Sequence, residues 1–416
     1  RRAVLLWLFL DSAGSLSAGA IVLMLFSPAL DLAPTCIAIA VIAVGLAACH
    51  LPGVADRDLC PTAGAEPADH LIQPGERHFA RLWKLTSGGE NAEGYWSFAG
   101  DRLSLQRRFG EAACDRIFVT EPPEAAGGKG VSGRPVPLRQ VSDGRGVTTC
   151  AHFLPGDREV VYASTSADMA DCRPPADHSQ GYTWTVHPEY DLWSGDLETG
   201  RQRRITDAWG YDAEATVSPV GDKMVFTSTR SGDLELWTCD LSGKNPFQVT
   251  NTLGYDGGGF FSHDGRRIVY GWTFFPPGTP EQTAEEERRY RELLADWKVR
   301  PHSMELMVID ADGKNRQQLT QLGKNRQQLT QLGGASFAPY FFPGDRRVIF
   351  STNHHEAGAR NFDLFAIRRV RLVPHVQSGR QVPGVRLEPR GVRAGRDESL
   401  RGGVALGSAV ASRRGP

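Results

Sequence analysis

Several features are missing from this chain, and each absence narrows what it can be. There is no G-x-S-x-G nucleophile elbow and no H-E-x-x-H zinc motif, so the common serine hydrolase and metalloprotease signatures are excluded. No glycine-rich loop opens a helix in the way a phosphate cradle requires. The seven cysteines include no C-x-x-C pair, which argues against a zinc site. Neither sign of charge is in excess: 47 Lys and Arg stand against 48 Asp and Glu, so the chain as a whole does not read as a nucleic-acid binder. Lys and Arg are absent from residues 3–48, and aromatic residues and Lys are absent from 369–416.

Between those two ends one short pattern recurs five times. The clearest copy runs from Tyr211 through Asp212, Glu214, Pro219, Gly221 and Asp222 to Thr229. The next runs from Tyr255 through Asp256, Gly257-Gly258-Gly259 and Asp264-Gly265 to Tyr270. Weaker copies lie at 91–105, 149–163 and 336–351. Each has a small or aromatic apolar stretch, a turn of Pro, Gly and Asp, and then a β-branched run, which is the signature of an antiparallel hairpin. A hairpin cannot bury both of its faces alone, so repeated hairpins stack on one another. Between Gly221 and Gly265 the sequence reads as four strands, the third (234–241) alternating apolar and polar residues. Closing strands end in a hydrophobic-Thr pair: Leu85-Thr86, Ile205-Thr206, Val249-Thr250 and Leu319-Thr320. The fold class expected is all-β, a β-propeller of four-stranded blades with innermost strands at 92–97, 150–154, 213–218, 258–262 and 337–342.

The segments 211–250 and 255–270, supported by 304–320 and 336–350, resemble the TolB-type propeller repeat of bacterial periplasmic proteins and of the non-catalytic propellers of some peptidases. The resemblance covers roughly residues 77–368 and implies six blades, of which about five are recognisable. It speaks for fold far more than for function, because propellers host many activities. The family's Asp-Gly turn order survives only at Asp264-Gly265; the other copies read Gly-Asp. The family's namesake carries an α/β domain ahead of its propeller, and residues 49–76 are too few for one, so this chain reads as a different, exported member.

The ends set the expected domain plan. Residues 1–48 read as a hydrophobic export signal or membrane segment, and 49–76 as a linker. The ending Leu46-Ala47-Ala48-Cys49 resembles a bacterial lipobox, which makes Cys49 a candidate for lipidation; a membrane helix is the alternative. After the propeller (77–368), residues 369–416 form a basic tail without strand alternation, read either as disordered or as the product of a frame break that removed the last blade. The unchanged tandem copy of 313–322 at 323–332 points to the same kind of damage.

Propeller geometry places the hairpin turns on one rim and the strand entries on the other, together with the long insertions 166–190 and 276–303 and the turn at His354-His355. Within the second insertion, Thr279-Pro280-Glu281-Gln282 is a capping box, and Tyr290, Leu293, Leu294 and Trp297 recur at helical spacing, so a helix packing on its own propeller is expected. Acidic and aromatic residues cluster at the strand entries: Glu90, Asn91, Glu93, Tyr211, Asp212, Glu214, Tyr255 and Asp256. Converging carboxylates suit a basic peptide group or a cation; equally, the repeated Tyr-Asp suits a structural role at the turn into the strand. No other cofactor is expected. Cys114, Cys150 and Cys172 are the disulfide candidates, one pair of which would staple blades one and two in an oxidising compartment. The function expected is a non-enzymatic, envelope-anchored interaction scaffold on the periplasmic side of the bacterial cell envelope, with a protein or peptide ligand and no nucleic acid. The regulatory propeller of an exported serine or metallo-peptidase is the alternative.

Overall fold

The computed structural model describes residues 68–72, 79–86, 88–109, 114–121, 138–172, 182–275, 278–301, 304–320, 335–353 and 362–367, with the backbone of short strands at 2–5, 23–26, 37–41, 43–44, 63–64, 66–67 and 135–136. Cys49, Cys60, His354-His355, the duplicate at 323–332 and the tail 369–416 lie outside the described residues. Among the described residues no helix is long and apolar enough to cross a membrane.

The repeats form five antiparallel blades, each built in chain order from the inside outward. The innermost strands are Glu90–Trp96, Thr148–Phe153, Asp212–Val217, Asp256–Phe261 and Ser336–Phe341, one or two residues earlier than expected. Blades one to four have four strands; the fifth shows three, ending at Asp363–Ile367. The sixth blade implied by the resemblance is not formed by the described residues. The core lies between neighbouring blades. Ile117, Val119, Phe153, Val160 and Tyr162 join blades one and two, while Val225, Leu236, Phe261, Ile268 and Tyr270 join three and four. Each such side chain, fully buried, contributes about 1.5–3 kcal/mol.

The hairpin turns obey one rule. Gly100, Gly156, Gly221, Gly265 and Gly344 all take positive φ, between 69° and 88°, a region open to glycine at no steric cost. The Gly-Asp order has its own physical reason. Asp157, directly after Gly156, accepts the backbone N–H groups of Phe98 (2.7 Å) and Ala99 (2.8 Å) in the turn of blade one. Asp345, after Gly344, accepts the backbone N–H of His263 (2.9 Å) and faces its Nδ1 at 2.7 Å. In these two turns the aspartate latches the preceding blade.

The hydrophobic-Thr pairs also find their purpose. Near the start of the third strand a backbone N–H donates to a hydroxyl just past the fourth strand: Leu192 to Thr206 (2.9 Å), Leu236 to Thr250 (2.9 Å) and Leu306 to Thr320 (2.7 Å). In blade one Ile117 does the same to Ser142 (3.1 Å). The matching hydroxyl of Thr86 is buried without a partner among the described residues.

The expected helix is present as α1, Pro280–Ala295. Thr279 caps it, with Gln282 returning its side chain to the Thr279 N–H at 2.9 Å. Tyr290 is buried against the propeller and its hydroxyl donates to Asp233. The exposed face is laced with Glu–Arg pairs such as Glu285–Arg288, which add little stability in water.

Candidate functional site

The two long insertions meet over one end of the channel. Trp184-Thr185, from blade two, pairs antiparallel with Lys298-Val299, which follows α1 in blade four. The backbone N–H of Val186 donates to the carbonyl of Trp297 (2.9 Å), extending the strap. Beneath it the Trp184 ring lies 5.6 Å from Tyr255 and 5.7 Å from Phe337, centre to centre. Trp209, beside the strap, is 71 % exposed and meets Trp297 edge to face.

Below the strap the five inner strands share a defect. Each carries a β-bulge, and at each bulge one residue is left-handed: Glu93, Cys150, Glu214, Gly258 and Ala338, with φ from 50° to 60°. A bulge puts two residues opposite one and re-aims a side chain. Here it gathers these five positions around the axis. Gly258 donates its N–H to Glu214 (2.9 Å), although it belongs to the next blade.

Glu214 is held by donors alone. Its carboxylate accepts the hydroxyls of Tyr211 (3.1 Å), Thr227 (2.5 Å) and Tyr255 (2.8 Å) besides the Gly258 amide. Glu93 accepts the Tyr95 hydroxyl (3.2 Å) and stands close enough to Glu214 for their charges to repel. Burial first, and then the charge of Glu214, push the Glu93 carboxyl up to about 8, against hydrogen bonds from Cys150 and Tyr95 that favour its ionised form. Burial likewise raises the Cys150 thiol and the phenols of Tyr190, Tyr211 and Tyr255 far above their ordinary ranges, so they remain protonated donors. His152, stacked 5.5 Å from Tyr95, is pushed down to about 4 by burial and stays neutral at physiological pH.

Of the strand-entry residues singled out in the sequence, four converge here: Glu93, Tyr211, Glu214 and Tyr255. The other four do not. Glu90 pairs with Arg108 at the surface, and Asn91 donates to the Gly88 carbonyl (3.2 Å). Asp212 is buried against Arg230 (2.6 Å) and the Ser228 hydroxyl (2.6 Å). Asp256 is buried beside Arg316 (3.5 Å) and accepts from Thr252 (3.0 Å). Both aspartates therefore bind side chains of their own blade, and the donors are hydroxyls and guanidinium groups rather than the backbone N–H groups of a turn.

The sequence reading missed Tyr95, Tyr190 and Trp184, and it grouped Cys150 only with the disulfide candidates. The disulfide joins Cys114 to Cys172, with Cα atoms 5.6 Å apart, and ties blade one to the insertion of blade two. Cys150 and Cys239 are free and buried. A small apolar recess adjoins Glu214, with a cavity volume of about 30 Å³, open to solvent on one side and lined by Trp184, Tyr255, Phe260, Met304, Phe337 and Ala338, among others. Among the described residues no three His, Cys, Asp or Glu side chains are grouped as metal ligands.

The repeated, channel-forming blades make this chain a β-propeller. It is similar to TolB from Acinetobacter baumannii, at 15 % identity and a TM-score of 0.46, over 73 % of this chain and 60 % of that one. It is also similar to a putative TolB from Agrobacterium tumefaciens, at 17 % identity and a TM-score of 0.30, over 55 % and 80 % of the two chains. A puromycin hydrolase is similar at 12 % identity and a TM-score of 0.39, over 68 % of this chain and 36 % of that one. The chain thus spans 60 % of the A. baumannii protein's length. At such identities the likeness concerns the fold alone. No family model and no curated sequence matches the chain.

Proposed function

We propose that this propeller is a non-enzymatic interaction module that holds a protein or peptide partner on the rim bearing its insertions, in the envelope of a bacterium. The observation that carries this reading is the strap, where insertions of two different blades pair over the channel mouth and leave Trp209 exposed beside it. Elaborated loops on a rigid scaffold are where binding concentrates. A large exposed aromatic on such a rim is the kind of residue that anchors interfaces. The Cys114–Cys172 bridge supports an exported, oxidising location. Acylation at Cys49 is the anchor this reading favours, tested by loss of radioactive fatty-acid label in Cys49→Ala.

The non-enzymatic reading rests on the chemistry of the mouth. Its thiol and phenols are held protonated by burial, and its neutral histidine lies against the carbonyl of Phe153 (3.2 Å). No activated nucleophile results. The decisive experiment places a photo-crosslinking amino acid at Trp209 on one rim and at Asp222 on the other, in the producing cell. A discrete adduct from position 209, without one from 222, supports the reading. Adducts from 222 alone, or from neither position, refute it.

A further inference from the structure

Three partly buried arginines of the propeller are each matched by a carboxylate: Arg204 by Asp191 (2.9 Å), Arg230 by Asp212 (2.6 Å) and Arg316 by Asp256 (3.5 Å). Arg116 is partly buried too, yet among the described residues no carboxylate lies within ion-pair distance of it. Its guanidinium is turned to two carbonyls, of Asp115 (2.9 Å) and Gly146 (2.6 Å), and to two sulfurs, of Cys114 (3.3 Å) and Cys172 (3.8 Å). Asp143 is exposed, and the Asp115 carboxylate accepts from Gln106 (3.1 Å), so both act on Arg116 only at longer range.

Those two sulfurs are the ones joined in the disulfide. A bonded disulfide is neutral and gains little from a cation beside it. Once the bond opens, a sulfur that leaves as thiolate is stabilised by a guanidinium at hydrogen-bond distance. A better leaving thiolate makes a disulfide easier to reduce, in rate and at equilibrium. The Gly146 carbonyl, 3.0 Å from the Cys114 sulfur, opposes charge there, but the same Arg116 nitrogen engages that carbonyl. The two ends of the bridge also differ in access. Cys114 is 5 % exposed, whereas Cys172 is half-buried and lies in the mouth insertion of blade two. An incoming thiolate therefore reaches Cys172, and the sulfur closer to Arg116 is the one that leaves.

We propose that Cys114–Cys172 is a thiol–disulfide exchange site, open to reduction by a dithiol, with Arg116 holding the thiolate that leaves. One thiolate of the dithiol attacks the Cys172 sulfur. The bond between the two cysteines breaks, and its electron pair stays on Cys114 beside Arg116. The second thiol of the reductant loses its proton to solvent and attacks its partner sulfur in the mixed disulfide. That step closes the reductant's own disulfide and releases Cys172 as a thiolate. Two electrons have then passed to the chain, and the mouth insertion is no longer bridged to blade one.

The full chain is equilibrated in dithiothreitol redox buffers, its thiols are alkylated, and each cysteine is read separately by mass spectrometry. Arg116→Met is expected to lower the equilibrium constant for reduction by about tenfold or more, a shift of about 30 mV towards more reducing potential. Arg116→Lys keeps the charge and is expected to lower it by about threefold or less. In the natural chain, glutathione is expected to be trapped as a mixed disulfide on Cys172. Once reduced, Cys114 is expected to alkylate with a pH midpoint below about 8.5, the ordinary value for free cysteine. An unchanged equilibrium in Arg116→Met, an equal loss in Arg116→Lys, glutathione mainly on Cys114 or on neither, or a Cys114 midpoint at or above about 8.5 overturns the proposal. Should Arg116→Met fail to fold, the trapping and the pH profile, both made on the natural chain, decide.

Discussion

The two rims of this propeller use the same residue types to opposite ends. On the turn rim, aspartates face the backbone of the neighbouring blade: Asp157 takes two N–H groups of blade one, and Asp345 two of blade four. On the mouth rim, acids at the bulges face one another across the axis, with only neutral donors around them. Asp157 and Asp345 tie a turn to the preceding blade, whereas Glu214 ties Tyr211 and Thr227 of its own blade to Tyr255 and Gly258 of the next. The contrast can be broken or sharpened by measurement.

The largest effect belongs to the disulfide, which ties the mouth insertion of blade two to blade one. It spans 58 residues, and removing it as Cys114→Ser with Cys172→Ser is expected to cost about 2–4 kcal/mol through the unfolded chain's regained freedom. Urea unfolding of the natural chain with and without reductant measures it. A shift below about 1 kcal/mol would mean the mouth rim is held by its strap and helix rather than by the bridge. Next comes the latch. Asp157→Ala leaves two backbone N–H groups unpaired and is expected to cost about 2–3 kcal/mol. Asp222→Ala, at the equivalent turn of blade three, loses only an exposed pair with Lys223 and is expected to cost less than about 0.5 kcal/mol. If the two variants melt together, the latch is not what distinguishes the turn rim.

The mouth rim makes a pH prediction of the opposite character. The folded Glu93 carboxyl sits at about 8, against an ordinary value of 4.5, so the folded state holds its proton more tightly than the unfolded chain does. The stability this confers is full below about pH 4.5 and is lost as pH rises through about 8. Glu93→Gln keeps the neutral form at every pH. It is expected to melt level with the natural chain at pH 5 and above it at pH 8.5, with the difference opening between those values. Curves that stay parallel across that range would show that Glu93 is solvated and that the mouth is not a low-dielectric site. Asp115 and Asp191, raised by burial to about 6 and about 7, slope the same way in both proteins and cancel in the difference.

Local chemistry explains how much could be read beforehand. The hairpins, their glycine turns and the helix N-terminus are written within a few neighbouring residues, so the strands fell within one or two positions and the capping box formed as read. The mouth was only half legible, for a geometric reason. Simple alternation puts Asp212 and Glu214 on the same side of a strand and Tyr211 on the other. The bulge at Glu214 breaks that count, so Tyr211 and Glu214 share the channel side and Asp212 turns to Arg230. Asp256 follows Asp212 by the same repeat. The choice of Cys172 over Cys150 as partner of Cys114 follows from the same defect: the bulge of blade two directs Cys150 to the axis, towards Glu93. The latches by Asp157 and Asp345 join residues far apart in sequence, and no local pattern announces them.

The smallest expected effect tests whether the exposed part of the mouth rim serves the fold at all. Trp209 and Trp184 lie on the same rim, one 71 % exposed and one wedged between Tyr255 and Phe337. Trp184→Ala removes an aromatic ring from two partners and from the strap, and is expected to cost about 2 kcal/mol, less than a fully buried tryptophan because it is partly exposed. Trp209→Ala removes one edge-to-face contact with Trp297 and is expected to change stability by about 0.5 kcal/mol or less. A change that small leaves Trp209 without a folding role, as the proposed partner anchor requires. If Trp209→Ala instead destabilises as much as Trp184→Ala, the ring is a prop for the C-terminal end of α1, and the mouth rim has lost its best anchor for a partner.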